Sequence, residues 1–261
     1  MANDRPSDWK SYDDFAAGIG TNRLPSTGAL AGRELSLTLR AGRLILAFES
    51  GSRVQCRQGA TQDDAEYDAV EVAPSTYFID MIFAPKLCEA LTLVVNTATH
   101  RAISVRQVVR ERRVEGEPLV EQHFSAGVLN DPLAAPTGPV PGPTRDLIGL
   151  RAFYRYSPRH LYEHVYLSSE RYCWQCLVGE QRGHGDVDLA TTWKFHENQY
   201  VFAFRELIIP VASVFFFNFL DLRSTGKFLG VSDEGRVENR KAGALIQKST
   251  VTRYEPGTEP V

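Results

Sequence analysis

The sequence predicts an all-β fold of two tandem antiparallel barrels with a short amino-terminal helix. Three observations predict it. Short apolar or alternating runs, bounded by turn residues, recur from Leu30 onward. A segment rich in proline and glycine, residues 126–146, divides these runs into two groups. The two groups also align with each other in sequence, which indicates an internal duplication.

The size and composition of the chain agree with two globular domains. It has 261 residues, of which 43% are hydrophobic, and domains commonly run to about 100–150 residues. We therefore expect an amino-terminal domain over residues 1–125, a linker over 126–146 and a carboxy-terminal domain over 147–261. The formal net charge of -3 gives no long-range attraction for polyanions, so nucleic acid is not an expected partner.

The sequence also bears on cellular location. The amino terminus is polar, and no apolar run approaches the roughly 18 residues of a membrane-spanning helix. The four cysteines do not make the framework of a small disulfide-rich domain, and we expect free thiols. The chain is therefore predicted to be cytoplasmic, with no membrane partner.

One segment, residues 7–20, has the periodicity of a helix. Apolar side chains recur in it at spacings of three or four, at Trp9, Tyr12, Ala16 and Ile19. Ser7 or Asp8 is placed to cap its amino terminus. We expect this helix to pack on the end of a barrel.

The other runs are predicted strands. In the first half they include Glu34 to Leu39, Arg43 to Phe48, Tyr77 to Phe83 and Leu91 to Val95. In the second half they are Phe153 to Tyr156, His160 to Leu167, Tyr172 to Leu177, Thr191 to Phe195, Gln199 to Leu207, Val211 to Phe219 and Lys227 to Val231. Five prolines separate the halves, and proline can neither donate to a strand ladder nor continue a helix.

The two halves align at both ends of the repeated unit. Leu30 to Gly32 matches Leu147 to Gly149, and Ala90 to Arg101 aligns without a gap on Ala212 to Arg223. Hairpin-connected strands in units of this size close readily into small barrels, because closure removes exposed strand edges. A barrel of about eight strands is wide enough to hold one small ligand. We therefore predict two lipocalin-like (calycin) barrels.

Several long phrases carry a resemblance to a known family. The chain reads WKSYDDFAAGIGTNRLPSTGALAG from Trp9, YDAVEVAP from Tyr67, PTRDLIGLRAFYRYSPRHLYEHVYLSSERYCWQCLVGEQRGHGDVDLATTWKF from Pro143, and later IPVASVFFFN and RSTGKFLG. These phrases resemble the molybdenum cofactor biosynthesis protein F (MoaF) family, in order and over nearly the whole chain. The resemblance implies two lipocalin-like domains, and the family's name suggests a link with molybdenum cofactor synthesis. It implies no particular catalytic residue.

The candidate site residues concentrate in the second half, around the strand that begins at His160. Strand alternation puts Tyr162, His164 and Tyr166 on one face, and Glu163 on the other. If the first face lines the cavity, it offers aromatic walls and an imidazole suited to binding or deprotonating a ligand. If the second face does, Glu163 is a carboxyl in an apolar wall with a raised pKa.

Further candidates surround this strand. Arg205 and Arg171 have the planar guanidinium that binds a carboxylate or phosphate, and His184 lies on a glycine-flanked loop that suits a cavity mouth. The remaining candidates supply aromatic walls: Tyr156, Trp174 and Trp193. Cys173 and Cys176 lie three apart in a predicted strand and face opposite ways, so no metal site or cofactor is predicted.

Three functional hypotheses follow. The first is a protein that binds a small aromatic or heteroaromatic, for instance pterin-like, molecule in the carboxy-terminal barrel. The second is a lyase or isomerase acting on a phenolic or similar small acid, with Glu163 or His164 as acid-base; it rests on fold analogy with phenolic acid decarboxylases. The third is a non-catalytic accessory protein that forms a homodimer through the aromatic strand Val211 to Phe219.

Overall fold

The computed structural model describes residues 8–83 and 88–261, and these are all-β apart from one short helix. The predicted fold class is confirmed, because two closed eight-stranded antiparallel barrels follow each other along the chain. Among these residues, no helix is both long and apolar enough to cross a membrane.

The amino-terminal barrel is a meander in which each strand pairs with the next. Its strands are β1 (Glu34–Leu39), β2 (Gly42–Phe48), β3 (Arg53–Gln58), β4 (Thr61–Ala73), β5 (Thr76–Phe83), β6 (Glu89–Asn96), β7 (Arg101–Val109) and β8 (Val120–Leu129). β8 closes the barrel by pairing with β1, where Leu129 lies opposite Leu37. The interior is mainly aliphatic, with Leu37, Leu46 and Leu93 fully buried.

The carboxy-terminal barrel repeats this meander with an aromatic interior. A short strand, β9 (Gly142–Pro143), precedes it beside β13, and its own strands are β10 (Leu150–Ser157), β11 (His160–Tyr166), β12 (Arg171–Val178), β13 (Gly185–His196), β14 (Gln199–Arg205), β15 (Val211–Asn218), β16 (Arg223–Val231) and β17 (Val237–Val251). β10 pairs with β17, and the ring is complete because β12 also pairs with β13. Tyr154, Phe202 and Phe217 form part of its core.

Backbone conformation repeats between the barrels. Among the described residues, four that are not glycine have positive φ, and they form two pairs at corresponding turns. Ser75 (φ 57°) and Asn198 (φ 59°) precede β5 and β14, while His100 (φ 57°) and Leu222 (φ 53°) precede β7 and β16. This conformation costs an L-residue about 1–2 kcal/mol. Its recurrence supports the duplication that the sequence alignment indicates.

The amino-terminal helix is shorter than predicted. It spans α1 (Tyr12–Ala16), and its cap is Ser11, whose side chain accepts a hydrogen bond from the Asp14 backbone amide. The prediction of a helix over residues 7–20 capped at Asp8 was wrong, and Ser7 lies outside the described residues. The helix ends early because Gly18 takes a φ of +91°, which is not helical. Apolar side chains at positions 12, 15, 16 and 19 all enter the core of the carboxy-terminal barrel.

The chain divides into two compact units that do not follow a simple split of the sequence. One unit contains residues 24–109 and 121–142 and holds the amino-terminal barrel. The other contains residues 1–23, 110–120 and 143–261 and holds the carboxy-terminal barrel. The opening segment therefore packs with the later barrel. β8 also extends to Leu129, so the first residues of the predicted linker belong to a strand.

The predicted strands recur with small shifts, and several strands had no prediction. The longest of these is β17, and its buried side chains include the small residues Ala242 and Ala244. Small residues weaken the hydrophobic alternation that identifies a strand in sequence.

Candidate functional site

A cavity of about 30 Å³ lies inside the carboxy-terminal barrel. It is enclosed by aromatic rings and a few polar groups: Phe15, Ile19, Tyr156, Tyr162, His164, Tyr172, Trp174, Gln181, Phe204, Glu206 and Phe228. This volume accommodates about two water molecules. Phe15 and Ile19 come from the amino-terminal segment, so that segment forms one wall of the cavity.

β11 presents its aromatic face to the interior. Tyr162, His164 and Tyr166 are buried in the barrel, as one of the two alternatives predicted. Glu163 lies on the opposite face, where its carboxylate binds Arg151 and the Gln175 amide. These partners outweigh burial and lower the pKa of Glu163. The alternative with Glu163 facing the cavity at a raised pKa was therefore wrong.

His164 is buried as a neutral imidazole. Its ring stacks on Tyr154 with centroids 4.2 Å apart, and its Nδ1 atom has no hydrogen-bond partner among the described residues. Burial without a partner lowers its pKa to about 3. At neutral pH this imidazole is uncharged and presents a free hydrogen-bonding nitrogen in an otherwise aromatic environment.

The tyrosine hydroxyl groups of the interior are also held neutral. Tyr162 donates a hydrogen bond of 2.8 Å to Oε1 of Gln181, and the hydroxyls of Tyr154 and Tyr166 lie 2.6 Å apart. Tyr156 packs edge-on against Tyr162, at 5.8 Å between ring centroids. Burial raises the pKa of each of these phenols above the ordinary value.

Two buried carboxyl groups complete the site, and sequence reasoning did not select either of them. The antiparallel register of β13 and β14 pairs Leu189 with Arg205. Asp188 precedes Leu189 and Glu206 follows Arg205, so the two carboxyls lie side by side. Asp188 accepts a hydrogen bond of 2.8 Å from Nε1 of Trp174. Burial is the largest cause that raises the pKa of Asp188 to about 7 and that of Glu206 well above its usual range. The negative charge of Asp186 adds to the rise of both pKa values, and that of Asp188 adds to the rise for Glu206.

Signals for these residues were present in the sequence. Glu206 continues the alternating face of Tyr200, Phe202 and Phe204, so strand alternation places a carboxyl on an aromatic face. Gln181 and Asp188 bound the polar loop in which His184 was selected. No periodicity in that loop indicates which of its residues turn inwards.

Several predicted residues lie away from the cavity. Arg205 is on the opposite face of β14, where its guanidinium donates to Oγ1 of Thr191 and the Ala190 carbonyl. Burial lowers its pKa to about 10. The ligand clamp expected of Arg205 is therefore not formed in this structure. Arg171 is exposed at the start of β12, and Trp193 is half-buried on β13 outside the described cavity lining.

His184 lies near the site without lining it. Its ring is 5.5 Å from that of Trp9, which also packs edge-on against Trp174 at 6.0 Å. Within the part of the chain that the structure describes, no three His, Cys, Asp or Glu side chains are grouped to hold a metal ion.

The corresponding positions of the amino-terminal barrel are apolar. The backbone amide of Gly32 donates to the Phe48 carbonyl, and that of Gly149 donates to the Tyr166 carbonyl. Because Gly32 aligns with Gly149, Phe48 corresponds to Tyr166. The strand registers extend this correspondence to the other positions. Leu44 is equivalent to Tyr162, Leu46 to His164, Ala65 to Asp188 and Phe83 to Glu206. The same barrel architecture thus forms without the polar groups of the carboxy-terminal interior.

Two family models and one curated relative identify the family of this chain. The model of the MoaF N-terminal domain matches residues 7–111, and that of the MoaF C-terminal domain matches residues 141–252. Protein MoaF of Klebsiella aerogenes is 42% identical over 240 residues, which cover 84% of this chain and 89% of the relative. A candidate beta-lactamase of known structure from Burkholderia vietnamiensis covers 40% of this chain, and this chain covers 95% of it, at 12% identity and a TM-score of 0.34. The chain belongs to the MoaF family.

Proposed function

We propose that the carboxy-terminal barrel binds a small aromatic or heteroaromatic molecule, and that neutral Glu206 donates a hydrogen bond to it. The contrast between the two barrel interiors carries this proposal. Burying His164, Asp188 and Glu206 costs folding free energy, and the amino-terminal barrel closes with apolar residues at the corresponding positions. Polar groups that the fold does not require are typical of functional sites.

The walls of the cavity suit a flat ring. Tyr162 and Trp174 lie 6.0 Å apart between ring centroids, and Tyr156 packs edge-on against Tyr162. Aromatic rings at such distances offer faces and edges for stacking. The convergent hydrogen-bonding groups, which would set the orientation of the ligand, are Gln181, His164 and Glu206.

A ring-sized ligand needs more space than about 30 Å³. The additional space is the volume that Phe15 and Ile19 now occupy, because they belong to the barrel wall supplied by the amino-terminal segment. That segment also makes polar contacts with the barrel. The Tyr12 hydroxyl donates a hydrogen bond to the Phe228 carbonyl, and Asp13 forms an ion pair with Arg240. We therefore propose that this segment withdraws when ligand enters.

A second candidate function is acid-base catalysis on the bound molecule. Two adjacent carboxyls whose pKa values are both raised can hold a proton between them, so one can donate while the other accepts. Glu206 lines the cavity and is the member of the pair that can reach a ligand. The reaction class would be proton transfer, as in a lyase or isomerase acting on a small acid.

Binding is tested by thermal shift with a panel of phenolic acids and pterin-like compounds. We expect a ligand to raise the Tm of the wild type, and the Tyr162→Leu and Glu206→Leu variants to lose this increase. Glu163→Leu is the matched control, because Glu163 is also a buried carboxyl but faces away from the cavity. It should retain the ligand-induced increase.

Two results would contradict the binding proposal. One is the absence of stabilisation by any compound, including in a Phe15→Ala variant with an enlarged cavity. The other is an equal ligand response in Glu206→Leu and Glu163→Leu. For acid-base catalysis, Glu206→Gln should lower turnover of a bound compound at least about 100-fold, whereas Glu163→Gln should leave turnover unchanged.

A further inference from the structure

A larger cavity lies at the corresponding end of the amino-terminal barrel. Its volume is about 370 Å³, within the range of small-molecule sites. Its described lining is Leu39, Ala41, Leu44, Cys56, Gln58, Thr61, Asp63, Phe83, Glu89, Leu91, Ser104 and Arg106. Leu44, Cys56 and Phe83 correspond to Tyr162, Trp174 and Glu206, so the two cavities occupy equivalent places in the duplicated fold.

The difference in volume has a structural origin. In the carboxy-terminal barrel, Phe15 and Ile19 fill this end from outside the ring of strands. The described lining of the amino-terminal cavity comes from the barrel's own strands and turns. Its interior side chains are also smaller, since Leu44 and Cys56 stand where the other barrel has Tyr162 and Trp174.

The cavity has an apolar floor and a charged rim. The floor includes Leu39, Leu44 and Leu91, together with the buried thiol of Cys56. On the rim, Arg106 is neutralised by Glu89, whose carboxylate accepts from both Nε and Nη2 of the guanidinium. Asp63 makes no ion pair with any other described residue, so it leaves the rim with an excess negative charge.

We propose that the amino-terminal barrel is a second binding site, specific for a small aliphatic amine. The alkyl chain would lie on the leucine floor, and the ammonium group would pair with the carboxylate of Asp63. This site is independent of the carboxy-terminal cavity and of the function proposed for it. It takes a ligand of a different class, because its lining is aliphatic and its excess charge is negative.

Isothermal titration calorimetry with hexylamine, hexanol and hexanoate tests the proposal. These probes share the alkyl chain and differ in the charge of the head group. We expect hexylamine to bind about fivefold more tightly than hexanol, which is the size of effect that a rim charge supplies, and hexanoate to bind most weakly. Leu91→Trp, which fills the cavity from a partly buried position, should abolish binding.

Asp63→Asn should remove the preference for hexylamine over hexanol. Asp64→Asn is the matched control, since the neighbouring carboxylate is exposed and is not part of the described lining; it should leave the preference unchanged. Equal affinities for the three probes in the wild type, no binding, or binding that survives Leu91→Trp in a folded protein would overturn the proposal.

Intrinsic fluorescence separates the two sites. All three tryptophans, at positions 9, 174 and 193, belong to the unit of the carboxy-terminal barrel. Hexylamine bound in the amino-terminal barrel should leave their emission unchanged, whereas a ligand beside Trp174 should alter it. A large change of tryptophan emission with hexylamine would place the amine in the other barrel and overturn the proposal.

Discussion

At His164 and Asp188, burial sets the protonation state and so makes folding stability depend on pH. The imidazole stays neutral because its pKa is lowered to about 3, and Asp188 retains a proton up to a pKa of about 7. Neither shift arises from an ion pair; desolvation is the largest cause of both. The two groups should therefore destabilise the fold at opposite ends of the pH range.

His164→Leu should make stability less sensitive to acid. An unfolded histidine gains a proton as the pH falls below about 6.5, whereas folded His164 does not until about pH 3, so the wild type loses stability across this window. Between pH 7.5 and pH 5 the loss is about 2 kcal/mol, and the variant should avoid it. Urea unfolding at the two pH values measures the difference.

The exposed His196 supplies the control for this prediction. His196→Leu should change stability by nearly the same amount at both pH values. If the two leucine variants show the same pH dependence, His164 is not held neutral by the fold.

Asp188→Asn should gain stability relative to the wild type as the pH rises. Unfolded aspartate ionises near pH 4, but the folded group keeps its proton up to about pH 7, so the wild type loses stability between these values. Asparagine has no charge to bury. Thermal unfolding from pH 4.5 to pH 8 should show a growing Tm difference in favour of the variant. The exposed control Asp64→Asn should show no such trend; a flat difference for Asp188→Asn would contradict the raised pKa.

Among the structural elements, the amino-terminal segment shapes the carboxy-terminal cavity although it is not one of the barrel strands. Five residues are helical, yet the side chains of Tyr12, Phe15 and Ile19 are all buried in the barrel core. Phe15 contacts Phe228 at 5.6 Å between ring centroids. An isolated helix of this length is not stable in water, so tertiary packing holds it in place.

Phe15→Ala should destabilise the protein and enlarge the cavity. Removing a buried phenylalanine ring costs about 3–5 kcal/mol when the space stays empty. Guanidinium unfolding measures this cost, and addition of a ring-sized compound such as phenol should recover part of it. The control is Leu133→Ala, at a residue that is 93% exposed. A cost for Phe15→Ala as small as that of the control would show that the ring is not part of the core.

For the whole molecule, two large clusters of buried apolar side chains are present, one in each barrel. Leu93→Ala in the amino-terminal cluster should reduce the free energy of unfolding of that barrel by about 2–5 kcal/mol. It should lower the Tm of the unfolding transition seen by far-ultraviolet circular dichroism. It should leave the transition seen by tryptophan fluorescence in place, because every tryptophan lies in the other unit. Phe202→Ala should do the reverse, with its main effect on fluorescence.

A common shift of both signals in both variants would instead mean that the barrels unfold as one cooperative unit.

The homodimer expected from Val211 to Phe219 stays a prediction. Phe215 and Phe217 on this strand belong to the carboxy-terminal core. Charged residues at these positions would unfold the barrel rather than probe association.

The sequence by itself determined the class of the fold, the two repeated units and the alternation of Tyr162, Glu163 and His164 on β11. These features depend on local periodicity and on turn residues, which are properties of short segments. Only the tertiary structure decided which face of each strand is the interior. It brought Glu206 beside Asp188, placed Arg205 outside, and put Phe15 into the wall of a barrel whose strands begin more than a hundred residues later. Such contacts depend on barrel closure and strand register, which join residues that are distant along the chain.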